Sequence, residues 1–177
     1  MNYLFKSQRL GFRNWTEQDI PLFSEINTDS AVMEFFPSTY SLAETNALVA
    51  KMQQQFATKA YCYFAVDLLE SAQFIGFIGI NDKDFEADFS PCVDIGWRLS
   101  TQAWGKGLAT EGAKRCLEYA FENLEIEKIY SMAPAVNIPS ENVMKKIGMV
   151  KVGTFQHPQL NDYPYLQECV LYQIKKE

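Results

Sequence analysis

The run Trp104-Gly105-Lys106-Gly107-Leu108-Ala109-Thr110-Glu111 sets two glycines ahead of the first turn of an amphipathic helix, a pattern suited to binding an anion. Lacking a Cβ, Gly105 and Gly107 take positive φ without strain and let the backbone come close to a ligand. The first amides of the helix have no partner within it, and its dipole is positive at that end, so phosphate is the anion it attracts. Spacing eliminates two phosphate loops. A P-loop needs G-x-x-x-x-G-K-[ST], which is absent, and the dinucleotide fingerprint needs a third small residue where Thr110 stands. The stretch Ser100 to Trp104 is also too long for a Rossmann turn, which argues against a nucleotide-binding oxidoreductase. What remains is a pyrophosphate loop of another kind.

Elsewhere the chemistry-bearing residues are sparse. Cys62, Cys92, Cys116 and Cys169 are scattered among apolar neighbours, with no C-x-x-C pair and one histidine in the chain, so the reading is reduced thiols and no metal. Asp94 and Arg98 fall on the polar side of an alternating strand, Cys92 to Leu99, which puts them on one face; Asp94 is either a base or simply the partner of Arg98. His157, ahead of Pro158, is either a group beside the substrate or a strand-end histidine bonded in a turn.

The elements that must position these residues alternate along 177 residues without repeat, linker or low-complexity tract, which predicts one domain over residues 1–177. Gln8 to Arg13 reads as a first strand, and Thr16-x-x-Asp19 starts a helix carrying Ile20, Phe23 and Ile26. Ser41-x-x-Glu44 is a capping box ahead of Leu48, Met52 and Phe56 at helical spacing. Tyr61 to Asp67, Phe74 to Asn81 and Cys92 to Leu99 read as strands. Ala109, Ala113, Cys116, Ala120 and Leu124 form the apolar stripe of the helix after the glycine loop. Glu127 to Met132, Val150 to Phe155 and Glu168 to Ile174 are further strands, with a helix from Ser140 to Ile147 stopped by Gly148. No apolar run is long enough to cross a bilayer and the first residues lack the layout of a secretory signal, so a cytoplasmic protein that binds no membrane is expected. A net charge of −6 argues against a broad nucleic-acid surface and tilts slightly towards cationic small molecules.

Taken together, Trp104-x-x-Gly107-x-Ala109, Asp94-Ile95-Gly96-Trp97-Arg98-Leu99 and Asn137-x-x-Ser140-x-x-x-x-Lys145-Lys146-x-Gly148-Met149 resemble, in order, the motifs of the GNAT acetyltransferase superfamily, in its RimJ/RimL-like branch. The resemblance runs from Arg9-Leu10 to Leu171-Tyr172. It implies a mixed α/β fold with a mostly antiparallel central sheet of about six to seven strands flanked by helices, in which the fourth and fifth strands splay apart. Here those are the strands around Trp97–Leu99 and Ser131–Ala133, and the resemblance places the pantetheine arm of acetyl-CoA in the gap.

It further implies that Trp97, Leu99, Trp104, Gly105, Lys106, Gly107, Leu108, Ala109, Thr110, Asn137 and Ser140 bind the cofactor, although Lys106 reads equally as a solvated lysine and Asn137 as a helix cap. The activity implied is acetyl transfer to a primary amine, on a protein N-terminus or a small molecule, by direct attack in a ternary complex. Asp94 is the candidate base and Ser140 either the donor to the leaving sulfur or a helix-capping residue alone, because Met144 occupies the place where many members carry a tyrosine as general acid. Phe35 and Phe36 lie where the family places the lid of its acceptor pocket; with His157 they are the candidate substrate contacts, core packing being the other reading. The alternative function is a coenzyme A-binding module without catalysis. A monomer or homodimer fits either.

Overall fold

The computed structural model describes residues 2–176; Met1 and Glu177, the ends of the expected domain, lie outside the described residues. Among the described residues eight strands form one sheet: β1 (Phe5–Lys6), β2 (Leu10–Arg13), β3 (Tyr63–Leu68), β4 (Phe74–Lys83), β5 (Cys92–Leu99), β6 (Lys128–Pro134), β7 (Val150–Gln156) and β8 (Glu168–Lys175). Their order is β1-β2-β3-β4-β5-β6-β8-β7, and every neighbouring pair is antiparallel except β5 with β6. The helices are α1 (Asp19–Thr28), α2 (Leu42–Lys59), α3 (Leu108–Asn123), α4 (Ile138–Lys146) and the short α5 (Pro164–Gln167).

The expected first strand begins later and gains a two-residue partner, which raises the strand count to eight. Ser7 causes the break: its hydroxyl accepts from the Leu10 amide and donates to Glu111, so Ser7 to Arg9 turn instead of extending. The capping box is complete, with Ser41 Oγ accepting from the Glu44 amide and Glu44 Oε2 from the Ser41 amide. α3 lies on the sheet as its stripe requires. Ala113, Cys116 and Ala120 are buried, and a Cβ on Gly112 would collide with Ile78, so the helix sits close on Leu10, Phe12 and Ile78. Burying a large apolar side chain such as these three stabilises the fold by about 1.5–3 kcal/mol.

α1 and the connection to α2 cover the other face, where one row runs straight across four strands: Arg13, Ala65, Phe77 and Arg98. The next row of that face holds Tyr63, Gly79 and Gly96. The Tyr63 ring lies over Gly96, where a Cβ would come 3.1 Å from its hydroxyl. Gly96 therefore leaves room for the aromatic ring, whereas a Cβ on Gly79 would meet the backbone of β3.

Candidate functional site

β5 and β6 run parallel but pair at one position, Asp94 with Tyr130. Ser131 Oγ donates to Ile95 O at 2.9 Å and closes the vertex; beyond it the two strands are joined by no further ladder pair. Peptide groups on a strand alternate sides. Ile95 O faces β6, whereas Ser100 donates from the far side to Ile75 O, so the peptide groups of Trp97 and Leu99 face the gap. One of them is already engaged: the half-exposed Trp104 donates from Nε1 to Leu99 O at 2.9 Å. Sequence-predicted Trp97, Leu99 and Trp104 are thus brought together at the mouth of the opening.

The glycine loop follows directly. Gly105 has φ +72° and Gly107 +75°, left-handed conformations in which a side chain would be strained. Gly107 is the N-cap of α3, and the first helical bond runs from Glu111 N to Gly107 O, which leaves the amides of Leu108, Ala109 and Thr110 without helical partners. Lys106 is exposed at the rim. The loop is tied to the β1–β2 turn: Arg9 donates from Nη1 to Lys106 O and from Nε to Glu111 at 2.7 Å, and Glu111 also accepts from Ser7 and from the Arg9 amide.

Asp94 is buried at the vertex and accepts from Tyr63 OH at 2.6 Å. Burial pushes its carboxyl above the usual range, opposed by the charge of Lys83 and by the Tyr63 hydrogen bond. The Tyr63 hydroxyl is itself held well above its usual pKa, by burial first and then by Asp94. The pairing of Asp94 with Arg98 does not form. The two share a face, as alternation requires, but four residues of strand span about 13 Å, and Tyr63 occupies the space between.

Arg98 instead meets α1 and the α1–α2 connection. Its Nη1 donates to Asn27 Oδ1 at 2.7 Å, and Asn27 in turn donates to Thr45 at 3.0 Å. The rings of Phe23, Phe36, Tyr40 and Phe77 surround the guanidinium, Phe36 closest with its centroid 4.2 Å away. Burial pulls the Arg98 pKa below its ordinary value, against the opposing influence of the Tyr40 hydroxyl. Phe36 thus stands over β5, and Phe35 beside it is half-buried. Sequence reasoning missed Asn27 and Tyr63. Asn27 had a signal, since it follows Phe23 by four residues and so lies on the apolar stripe of its helix; Tyr63, in an aromatic-rich strand, had none.

The remaining residues lie elsewhere. Asn137 caps α4 by accepting from the Ser140 amide at 3.1 Å; the cap engages the amide of Ser140 and not its hydroxyl. Met144 is fully buried. His157 stacks on Phe85 of the β4–β5 loop at 4.7 Å, and its Nδ1 accepts from the Gln159 amide, the turn-bonded arrangement. Burial lowers its pKa, with Lys83 adding to the effect. The structure brings it to the β4–β5 loop, and not to Phe35 and Phe36. Among the described residues, no helix is long and apolar enough to cross a membrane.

Residues 9–150 match the family described as Acetyltransferase (GNAT) domain. The uncharacterized N-acetyltransferase YnaD of Bacillus subtilis is 32% identical over 151 residues, spanning 85% of this chain and 84% of that protein. An acetyltransferase of the GNAT family from Bacillus anthracis superposes with a TM-score of 0.78 at 25% identity, over 97% of each chain. Spermidine N-acetyltransferase from Vibrio cholerae, solved in complex with CoA and spermine, shares the fold with a TM-score of 0.73 at 20% identity, covering 95% of this chain and 96% of its own. With a family match over most of its length and a splayed pair of strands leading to a glycine loop, the chain belongs to the GNAT family of N-acetyltransferases.

Proposed function

We propose that this N-acetyltransferase uses acetyl-CoA and acetylates a primary amine by direct attack within a ternary complex, in the cytoplasm. The observation that carries the reading is the gap between β5 and β6, paired at one rung and opening on a loop with two left-handed glycines. The residues present fit the group. The peptide groups of Trp97 and Leu99 that face the gap suit an amide-bearing arm, with Leu99 O already held by Trp104, and the amides of Gly107 to Thr110 suit a pyrophosphate, with Lys106 adding charge. Asn137 and Ser140, at the start of α4, would hold the arm. When bound, acetyl-CoA supplies an activated acyl group.

The chain's own work is positioning and proton handling. An acceptor amine arrives as an ammonium and must lose a proton before it can attack. Asp94 takes that proton through water, and its raised pKa narrows the gap to the ammonium. Tyr63, lying over Gly96, holds the carboxylate in place. Ser140 would donate to the departing sulfur, a modest task because a thiolate whose thiol has a pKa of about 8.5 is already a good leaving group. Phe36 covers the acceptor side.

The test is calorimetric titration of acetyl-CoA into the wild type and Gly107→Val, with NADH and ATP as controls. Wild type is expected to bind acetyl-CoA selectively and the variant at least tenfold more weakly, because valine is strained at this φ and blocks close approach of the backbone. Equal binding by both proteins, or preference for a control, overturns the loop assignment. An acid limb in the pH–rate profile that persists in Asp94→Asn would remove Asp94 as the base.

A further inference from the structure

Arg98 is a buried cation without a counter-ion. Its exposure is 7%, and none of the ion pairs among the described residues includes it. Asn27 takes one of its hydrogens and the Tyr40 hydroxyl lies beside it, while its Nε is buried with no hydrogen-bond partner. The four rings attract the charge through their faces, but a ring face does not replace an acceptor at the guanidinium edge. That edge is a planar fork of N–H donors, the shape that takes a carboxylate.

Its place in the fold points to substrate. Arg98 stands on the part of β5 that has lost its neighbour β6, beside the opening that the proposed function assigns to the reaction. The cage is also lopsided. Phe23 and Phe77 are buried, whereas Phe36 and Tyr40 are partly exposed, so the approach to the guanidinium runs past the two rings of the α1–α2 connection. An approach lined by two rings, ending on a fork without a carboxylate, suits a compact ligand with one anionic end.

We infer that Arg98 binds a carboxylate of the acceptor, so that the substrate is an amino acid or a similarly short amine-carboxylate. The inference rests on the acetyltransferase reading for its amine and on the Arg98 surroundings for its acid. It runs against the tilt towards cationic acceptors drawn from the net charge: a polyamine would bring a second cation to a buried cation.

The experiment compares binding and turnover. N-acetylated amino acids covering the standard side chains are titrated, as free acids and as the matching amides, into the protein saturated with CoA. At least one free acid is expected to bind tenfold or more tighter than its amide, with the difference lost in Arg98→Met. Equal binding of acid and amide, or binding of neither, overturns the inference, and the wild-type comparison decides this even if the variant fails to fold. Turnover of free amino acids, their amides and spermidine is measured in parallel. Acid–amide discrimination without acetyl transfer would sink the transferase reading and leave the carboxylate site standing; transfer to amides or spermidine as fast as to free acids would do the reverse.

Discussion

Arg13 and Arg98 occupy the two ends of one row on one face of the sheet, and each is 7% exposed, yet their surroundings are opposite. Arg13 is saturated. Asp67 takes Nε at 2.6 Å and Nη2 at 2.8 Å, and Asp19 takes Nη1 and Nη2, each at 2.7 Å. These carboxylates bring α1 and β3 onto β2, and the bidentate geometry fixes the angle between them. Arg98 has rings, one amide oxygen and the Tyr40 hydroxyl nearby, and no carboxylate. Equal burial therefore says little about purpose, because the partner set decides whether a buried charge is a structural clamp.

The largest break in this contrast is Arg13→Met. It strands two buried carboxylates without their cation, and a loss of about 3–5 kcal/mol is expected in urea unfolding. A cost no larger than that of Arg98→Met would dissolve the distinction.

Asp19→Asn comes next, at about 1.5–3 kcal/mol, and it sharpens the contrast through pH. Burial by itself would raise the Asp19 carboxyl, but the bonds from Arg13 and Thr16 outweigh it and hold the pKa below its ordinary 3.8. A depressed carboxyl stabilises the fold above its unfolded pKa and loses that contribution as pH falls through the folded value. The gap between the wild type and the Asp19→Asn variant, followed by unfolding at several pH values, is therefore full at neutrality and closes below about pH 3.8.

Smallest is Arg98→Met, expected to change stability by about 1 kcal/mol or less, since the lost ring contacts are offset by relief of an uncompensated buried charge. With no paired carboxylate, this difference should not vary between neutral and acid pH. A large acid-sensitive loss would make Arg98 a clamp like Arg13.

What was legible in the chain was local. The glycines before α3, the capping box at Ser41 and the alternation of β5 are short-range patterns whose causes lie within a few residues, and they stand where the sequence put them. The gap, by contrast, is a relation between β5 and β6, and only the family resemblance located it. The expected union of Asp94 with Arg98 failed because sharing a face does not bring residues two pleats apart into contact, and because Tyr63, distant in sequence, was invisible to any reading of β5 alone. The break at Ser7 has the same origin, since Glu111 lies on a helix far along the chain. Asn27 is the exception: a polar residue on an apolar stripe is a local sign of a buried partner.

The lone rung between β5 and β6 makes the sheet two leaves, five strands in one and three in the other, hinged like a clothes-peg at Asp94 and Tyr130. A sheet is stiff across its strands because each ladder resists bending; here the ladder supplies one rung and the Ser131 bond, and the two leaves otherwise hold together through the shared apolar core. Whatever fills the jaws becomes the missing ladder and stiffens the whole. Amide exchange in β6 should therefore slow when acetyl-CoA is added while that in β3 stays as it was; equal slowing in both strands would mean that the peg was never loose.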